Sequence, residues 1–242
     1  MLKAVLFDLD DTLLGNDMDR FLPGYFGLLG QYAEKYLPRD QFLHELMTST
    51  EAMIRNVDPA LSNRDVFWQT FTERTGLDSN ELEAFFEQFY RTQFHQLRDR
   101  TEKRPFAAEL VQFCLDHNLK VVVATNPLFP LIAIEARLDW GGLPVDQYNF
   151  ALVTAYENMH AAKPQPAYYT EILQKIGCAP EEALMVGNDW ENDILPAHSV
   201  GMQTYWLSLD GEEPSADLML PYGLTLEDVH AFLAQRLKLE AS

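Results

Sequence analysis

Apolar and polar positions follow two regimes along the 242-residue chain. Residues 3–9 (KAVLFDL) form a short run of aliphatic and aromatic side chains that stops at a carboxylate cluster, as a buried parallel strand does at its C-terminal end. The next eighty or so positions contain no second run of that kind. They predict helices over about 21–36, 39–55, 63–75 and 80–98, with Pro38, Asp58-Pro59 and Gly76 as the breaks. In the fourth of these, Leu82, Phe85, Phe86, Phe89 and Tyr90 recur at spacings of three and four and mark one apolar face.

After Arg104-Pro105 the pattern becomes an alternation. Helices over about 106–117, 131–138, 166–176, 191–200 and 226–237 are interleaved with strands near 120–125, 150–154, 183–187 and 203–207, and with a short strand at 218–220. Strands separated by helices of this length predict an α/β fold, a doubly wound and mostly parallel sheet covered on both faces. An all-helical insertion follows its first strand. The domains this implies are an α/β core of residues 1–15 and 104–242, and a helical unit of residues 16–103.

Composition narrows the range of functions. With 37 Asp and Glu against 18 Lys and Arg, the formal charge is −19, a poor match for nucleic acid or an anionic membrane, which are gripped through cationic side chains. A small anionic ligand would need a metal ion or a few placed cations. Hydrophobic residues make up 47% of the chain, enough at this length to bury roughly 70–75% of the unfolded surface, so disordered and fibrous classes are excluded. The longest apolar runs fall far short of the ~20 residues of a membrane span. Two cysteines, Cys114 and Cys178, can form neither a disulfide framework nor a thiolate metal site, and both read as core residues. With no secretory pattern at the start, the expected setting is reducing and cytoplasmic.

Four groups of residues carry candidate chemistry. In Asp8-Leu9-Asp10-Asp11-Thr12, residues two apart on an extended chain share a side, so Asp8 and Asp10 can converge while Leu9 points into the fold. The alternative is a solvated turn. Thr125-Asn126 closes the apolar run 121–124, and reads either as neutral hydrogen-bonding groups at the same sheet edge or as an ordinary helix cap before Pro127. Lys163 precedes Pro164 and Pro166 at a helix start, and is either a placed charge or a solvated lysine. Asp189 and Asp193, four apart after the strand at 183–187, are either paired on one face or simply helix-capping acids. What favours a site is coincidence, since all four groups end strands on one predicted rim, where open α/β sheets bind ligands.

In order and in register with those strands, Asp8-x-Asp10-x-Thr12, Thr125, Lys163-Pro164 and Gly187-x-Asp189-x-x-x-Asp193 resemble the motifs of the haloacid dehalogenase superfamily, and the helical insertion is similar to its C1 cap. Asn188 between Gly187 and Asp189 departs from the commoner spacing. The resemblance implies a Mg²⁺-dependent phosphatase in which Asp8 is the nucleophile, Asp10 the general acid and base, and Thr125 and Lys163 the groups that bind and neutralise the phosphoryl oxygens. It implies further that Asp8, the Asp10 carbonyl, Asp189 and Asp193 form the metal site, and that Thr12 and Asn126 contribute to substrate binding. An acid at Asp10 points away from the dehalogenases, whose halide leaves without a proton. The implied substrate is a small phosphorylated metabolite, with neither nucleic acid nor membrane as partner and a monomeric or dimeric state. A phosphomutase of the same family is the alternative, and a phosphoacceptor or binding protein without turnover a more distant one. Arg20, Arg55 and Arg64 are either contacts to a second anionic group or surface arginines, and Trp190 either a pocket wall or packing.

Overall fold

The computed structural model describes residues 1–214, 218 and 220–240. Its strands are β1 (Ala4–Phe7), β2 (Leu14–Gly15), β3 (Glu102–Lys103), β4 (Lys120–Val123), β5 (Leu152–Val153), β6 (Ala183–Gly187), β7 (Gln203–Leu207) and β8 (Tyr222–Gly223). The helices are α1 (Met18–Ala33), α2 (Arg39–Arg55), α3 (Asn63–Thr75), α4 (Ser79–Arg91), α5 (Ala107–Asp116), α6 (Leu131–Gly141), α7 (Pro166–Ile176), α8 (Leu195–Ser199) and α9 (Leu226–Glu240).

Six strands make one parallel sheet in the order β5-β4-β1-β6-β7-β8. All four residues of β1 are buried. Because side chains alternate across a strand, Val5 and Phe7 join the apolar cluster on one face, and Ala4 and Leu6 join that on the other. The connections run to opposite sides of the sheet from β1, β4 and β6, so the carboxyl ends of these three strands border the crevice where ligands enter such folds.

The chain leaves this sheet through β2 and returns through β3. The two pair antiparallel, Leu14 with Lys103 and Gly15 with Glu102. Arg104 ties the crossing to the first strand's loop, its Nη2 donating to the Asp11 carbonyl at 3.0 Å and to Asp11 Oδ1 at 3.2 Å. Helices α1 to α4 lie between the crossings and enclose a third apolar cluster, which also takes in Ala133 and Trp140 of α6. Aromatic rings dominate it, with Phe94 edge-on to Phe21, Tyr25 and Tyr90 and stacked at 5.2 Å on Trp140.

Differences from the sequence-based expectation have local causes. The first strand stops at Phe7 rather than Leu9 because the Leu9 carbonyl accepts from the backbone N–H groups of Thr12, Leu13 and Leu14, which closes a turn. The expected fourth helix divides into α4 and a 3₁₀ stretch, Gln93–Arg100, and the expected helix at 191–200 opens with a π turn, Trp190–Ile194. The expected strand at 218–220 includes residue 219, outside the described residues. The last strand pairing with β7 is β8, whose Tyr222 sits opposite Trp206. Among the described residues no helix is long and apolar enough to cross a membrane.

Candidate active site

Three of the expected residues meet on one ammonium group. Lys163, brought in just ahead of α7, donates from Nζ to Asp8 Oδ1 at 2.7 Å and to Asp193 Oδ1 at 2.5 Å. All three side chains are buried. Asp8 continues the line of β1, its N–H donating to the Val186 carbonyl at 2.9 Å. Asp193 is held from below by the Asp189 N–H, which donates to its Oδ2 at 3.1 Å. A glycine is required beneath it, for a Cβ on Gly187 would lie 2.2 Å from Asp193 Oδ2.

Burial sets the electrostatics of this triad. It pushes the Asp8 carboxyl up to about 7, with Asp193 and Asp10 adding to the effect and Lys163 opposing it. Burial raises Asp193 as well, against the pull of Lys163. For Lys163, burial alone would favour loss of the proton, but Asp193 and Asp8 hold the ammonium well above its usual range.

Asp10 takes a different partner. Arg137 of α6, fully buried, donates from Nη1 to both carboxylate oxygens at 2.8 Å, and Asn16 Nδ2 donates to Oδ1 at 2.7 Å. The guanidinium also lies over the Phe129 ring, 4.9 Å from its centroid. Neither Arg137 nor Asn16 was among the sequence candidates. A signal for Arg137 existed, because it stands four positions after Ala133 and three after Ile134, both buried, on the apolar face of α6.

The remaining candidates take up supporting positions. Thr125 is buried at the end of β4, where its carbonyl accepts from Thr154 Oγ1 at 2.7 Å and from the Tyr168 hydroxyl at 2.8 Å. Asn126 Oδ1 accepts from the Lys163 N–H at 3.2 Å, so the first of these two loops positions the second. Thr12 Oγ1 donates to Asn188 Oδ1 at 3.2 Å, and the Asn188 carbonyl accepts from Trp206 Nε1 at 2.9 Å. The residue that departs from the usual spacing therefore bridges two rim loops. Trp190 packs edge-on against Trp206, with ring centroids 4.9 Å apart. Arg20 is exposed, while Arg55 and Arg64 are paired with Glu51 and Glu83.

The Asp189 side chain turns to its own helix start rather than to the Lys163 ammonium. Its Oδ1 accepts from the N–H groups of Glu191 and Asn192 and its Oδ2 from Asn192 Nδ2, the capping role of an acid at a helix start. Among the described residues no group of three or more His, Cys, Asp or Glu side chains is gathered as a metal site. The charge and chemistry of the rim nonetheless suit a hard divalent cation. Asp8, Asp10 and Asp193 bring three carboxyl groups to a rim where, among the described residues, their ion-pair partners are Lys163 and Arg137, and the donors are oxygens of the kind Mg²⁺ prefers.

A model of the haloacid dehalogenase-like hydrolases matches residues 2–201. Pyrophosphatase PpaX of Bacillus pumilus is 24% identical over 215 residues, covering 88% of this chain and 87% of the relative. Phosphoserine phosphatase of Thermus thermophilus is 28% identical over 268 residues, covering 98% and 100%. Among solved structures, 2-haloacid dehalogenase from Pseudomonas syringae pv. Tomato superposes with a TM-score of 0.62 at 24% identity, covering 97% of this chain and 99% of that one. At that identity the likeness speaks for the fold alone.

Proposed function

Because the chain belongs to the haloacid dehalogenase-like hydrolases, we propose that it is a phosphatase that hydrolyses a small phosphate monoester through a phosphoryl group carried on Asp8. The observation that carries this reading is the Lys163 ammonium bonded to both Asp8 and Asp193 on a buried sheet rim. A carboxylate fixed by a lysine beside neutral hydrogen-bonding groups suits phosphoryl transfer, which depends on positioning and charge stabilisation. The relatives support the same class, one being a phosphoserine phosphatase and another a pyrophosphatase.

In the first step an Asp8 oxygen attacks phosphorus, the bond to the leaving oxygen breaks, and Asp10 gives that oxygen a proton. In the second, Asp10 takes a proton from water as the water oxygen attacks phosphorus, and the bond to Asp8 breaks to release phosphate. Lys163 and Thr125 hold the phosphoryl oxygens throughout, with Thr12 and Asn126 fixing the loops around them. Both Asp10 oxygens accept from Arg137, so Asp10 exchanges that contact for the leaving group before it acts. Asp8, the Asp10 carbonyl, Asp189 and Asp193 would hold Mg²⁺, which when bound would supply positive charge to the phosphoryl group. The helical unit of residues 16–103 closes over the rim and excludes water from the first step. The surplus of acidic residues favours a small soluble substrate over a nucleic acid or membrane surface.

Phosphate release from p-nitrophenyl phosphate tests the reading. With Mg²⁺ present, Asp8→Asn is expected to lower turnover by on the order of 10⁴-fold or more, and Asp10→Asn by about 10²–10⁴-fold. EDTA should abolish turnover, and added Mg²⁺ should restore it. Wild-type rates in Asp8→Asn, or rates indifferent to EDTA, would contradict the proposal.

A further inference from the structure

Between α1 to α4 and the loops that follow β4 and β5 lies a cavity of about 560 Å³, the size of a small-molecule site. Its wall is unlike the rim, since 19 of the 26 residues that line it are apolar or aromatic, among them Tyr25, Phe42, Trp68, Phe86, Phe129 and Tyr156. The polar groups of this wall are already engaged. The Tyr25 and Tyr90 hydroxyls bond each other at 2.8 Å, Trp68 Nε1 donates to the Tyr156 hydroxyl at 3.4 Å, and Thr50 Oγ1 donates to the Leu46 carbonyl at 2.9 Å.

Most of its charges are also committed. Arg64 pairs with Glu83 at 2.5 Å and Arg91 with Glu87 at 2.5 Å, while both oxygens of Glu157 accept from the Leu131 N–H at the start of α6. With Glu135 added, the wall holds two arginines and four glutamates, a balance of −2. A second phosphate or a carboxylate on the substrate would meet net negative charge and no uncommitted arginine. A polyhydroxylated group would lose water without gaining partners.

The cavity reaches the reacting end through two of its wall residues. The Met18 sulfur is 3.5 Å from Asn16 Nδ2, which bonds Asp10, and Phe129 lies under Arg137, which bonds Asp10 as well. Leu128–Pro130 continue directly from Thr125-Asn126. Asp10 therefore stands between the phosphoryl rim and the cavity, where the leaving oxygen of a substrate bound across both would lie.

We infer that the substrate is a phosphate monoester whose leaving group is apolar, an alkyl or aryl chain seated in this cavity. The inference rests on the phosphatase reading above, and it departs from the pyrophosphate and phosphoserine that the relatives' names specify.

A homologous series of n-alkyl phosphates, ethyl to hexyl, tests it with Mg²⁺ present, because the leaving oxygens are chemically alike and only buried length changes. The expected kcat/KM rises about fourfold per methylene, and phosphoglycolate, with a carboxylate in place of methylenes, falls below ethyl phosphate. A flat series, or phosphoglycolate faster than hexyl phosphate, overturns the inference and leaves the phosphatase reading standing. Hexylphosphonate, which cannot be hydrolysed at its C–P bond, gives a second readout through Trp68 fluorescence, with Trp68→Phe identifying the signal. Quenching without phosphate release from any ester would keep the apolar site and reject the phosphatase. Neither quenching nor release would reject both.

Discussion

The sheet rim and the cavity among α1 to α4 are both linked to Asp10, yet they are built from opposite materials. At the rim, stability and chemistry are concentrated in a few buried charges, and one ammonium serves two carboxylates. In the helical insertion the same work is spread over many rings, none of which is decisive; Phe94 alone packs against Phe21, Tyr25, Phe89, Tyr90 and Trp140. The difference follows from what each region has to do. Charge on a transferring phosphoryl group is stabilised by groups fixed before it arrives, whereas an apolar leaving group is bound by displaced water and contact area, which tolerate adjustment.

The contrast can be broken in a single kind of experiment. Lys163→Met leaves Asp8 and Asp193 buried without their shared counter-charge, and should cost about 3–5 kcal/mol in urea unfolding. Phe94→Leu, in the other region, removes more atoms from a fully buried position but leaves neighbours able to shift, and should cost about 1–2 kcal/mol. If the two losses came out in the reverse order, the claim that the rim concentrates its energy and the insertion spreads it would fall.

Much of the rim was legible because its residues are set by backbone position. An apolar run that ends in Asp8 and Asp10, another that ends in Thr125 and a third that leads to Asp189 and Asp193 read directly as strand ends, and a parallel sheet brings such ends together. Less legible was where each carboxylate turns. Asp189 satisfies the first N–H groups of its own helix, and Asp10 faces a guanidinium from an element 127 residues away. Arg137 reads as a surface residue because a charged side chain is ordinarily assigned to the solvent face, although its spacing from Ala133 and Ile134 places it inside. The cavity was out of reach for a different reason. Single helices announce an apolar face, as residues 82–90 did, but the space left where four such faces and two loops meet depends on packing that no one segment encodes.

The central claim is that Asp8 carries the phosphoryl group, and it can be tested on the carboxylate itself. Borohydride added during steady-state turnover reduces an acyl phosphate to an alcohol, so peptide mapping of the quenched enzyme is predicted to find homoserine at position 8, dependent on both substrate and Mg²⁺. Continued phosphate release with Asp8 unmodified, or with the reduced residue at another carboxylate, would contradict the account.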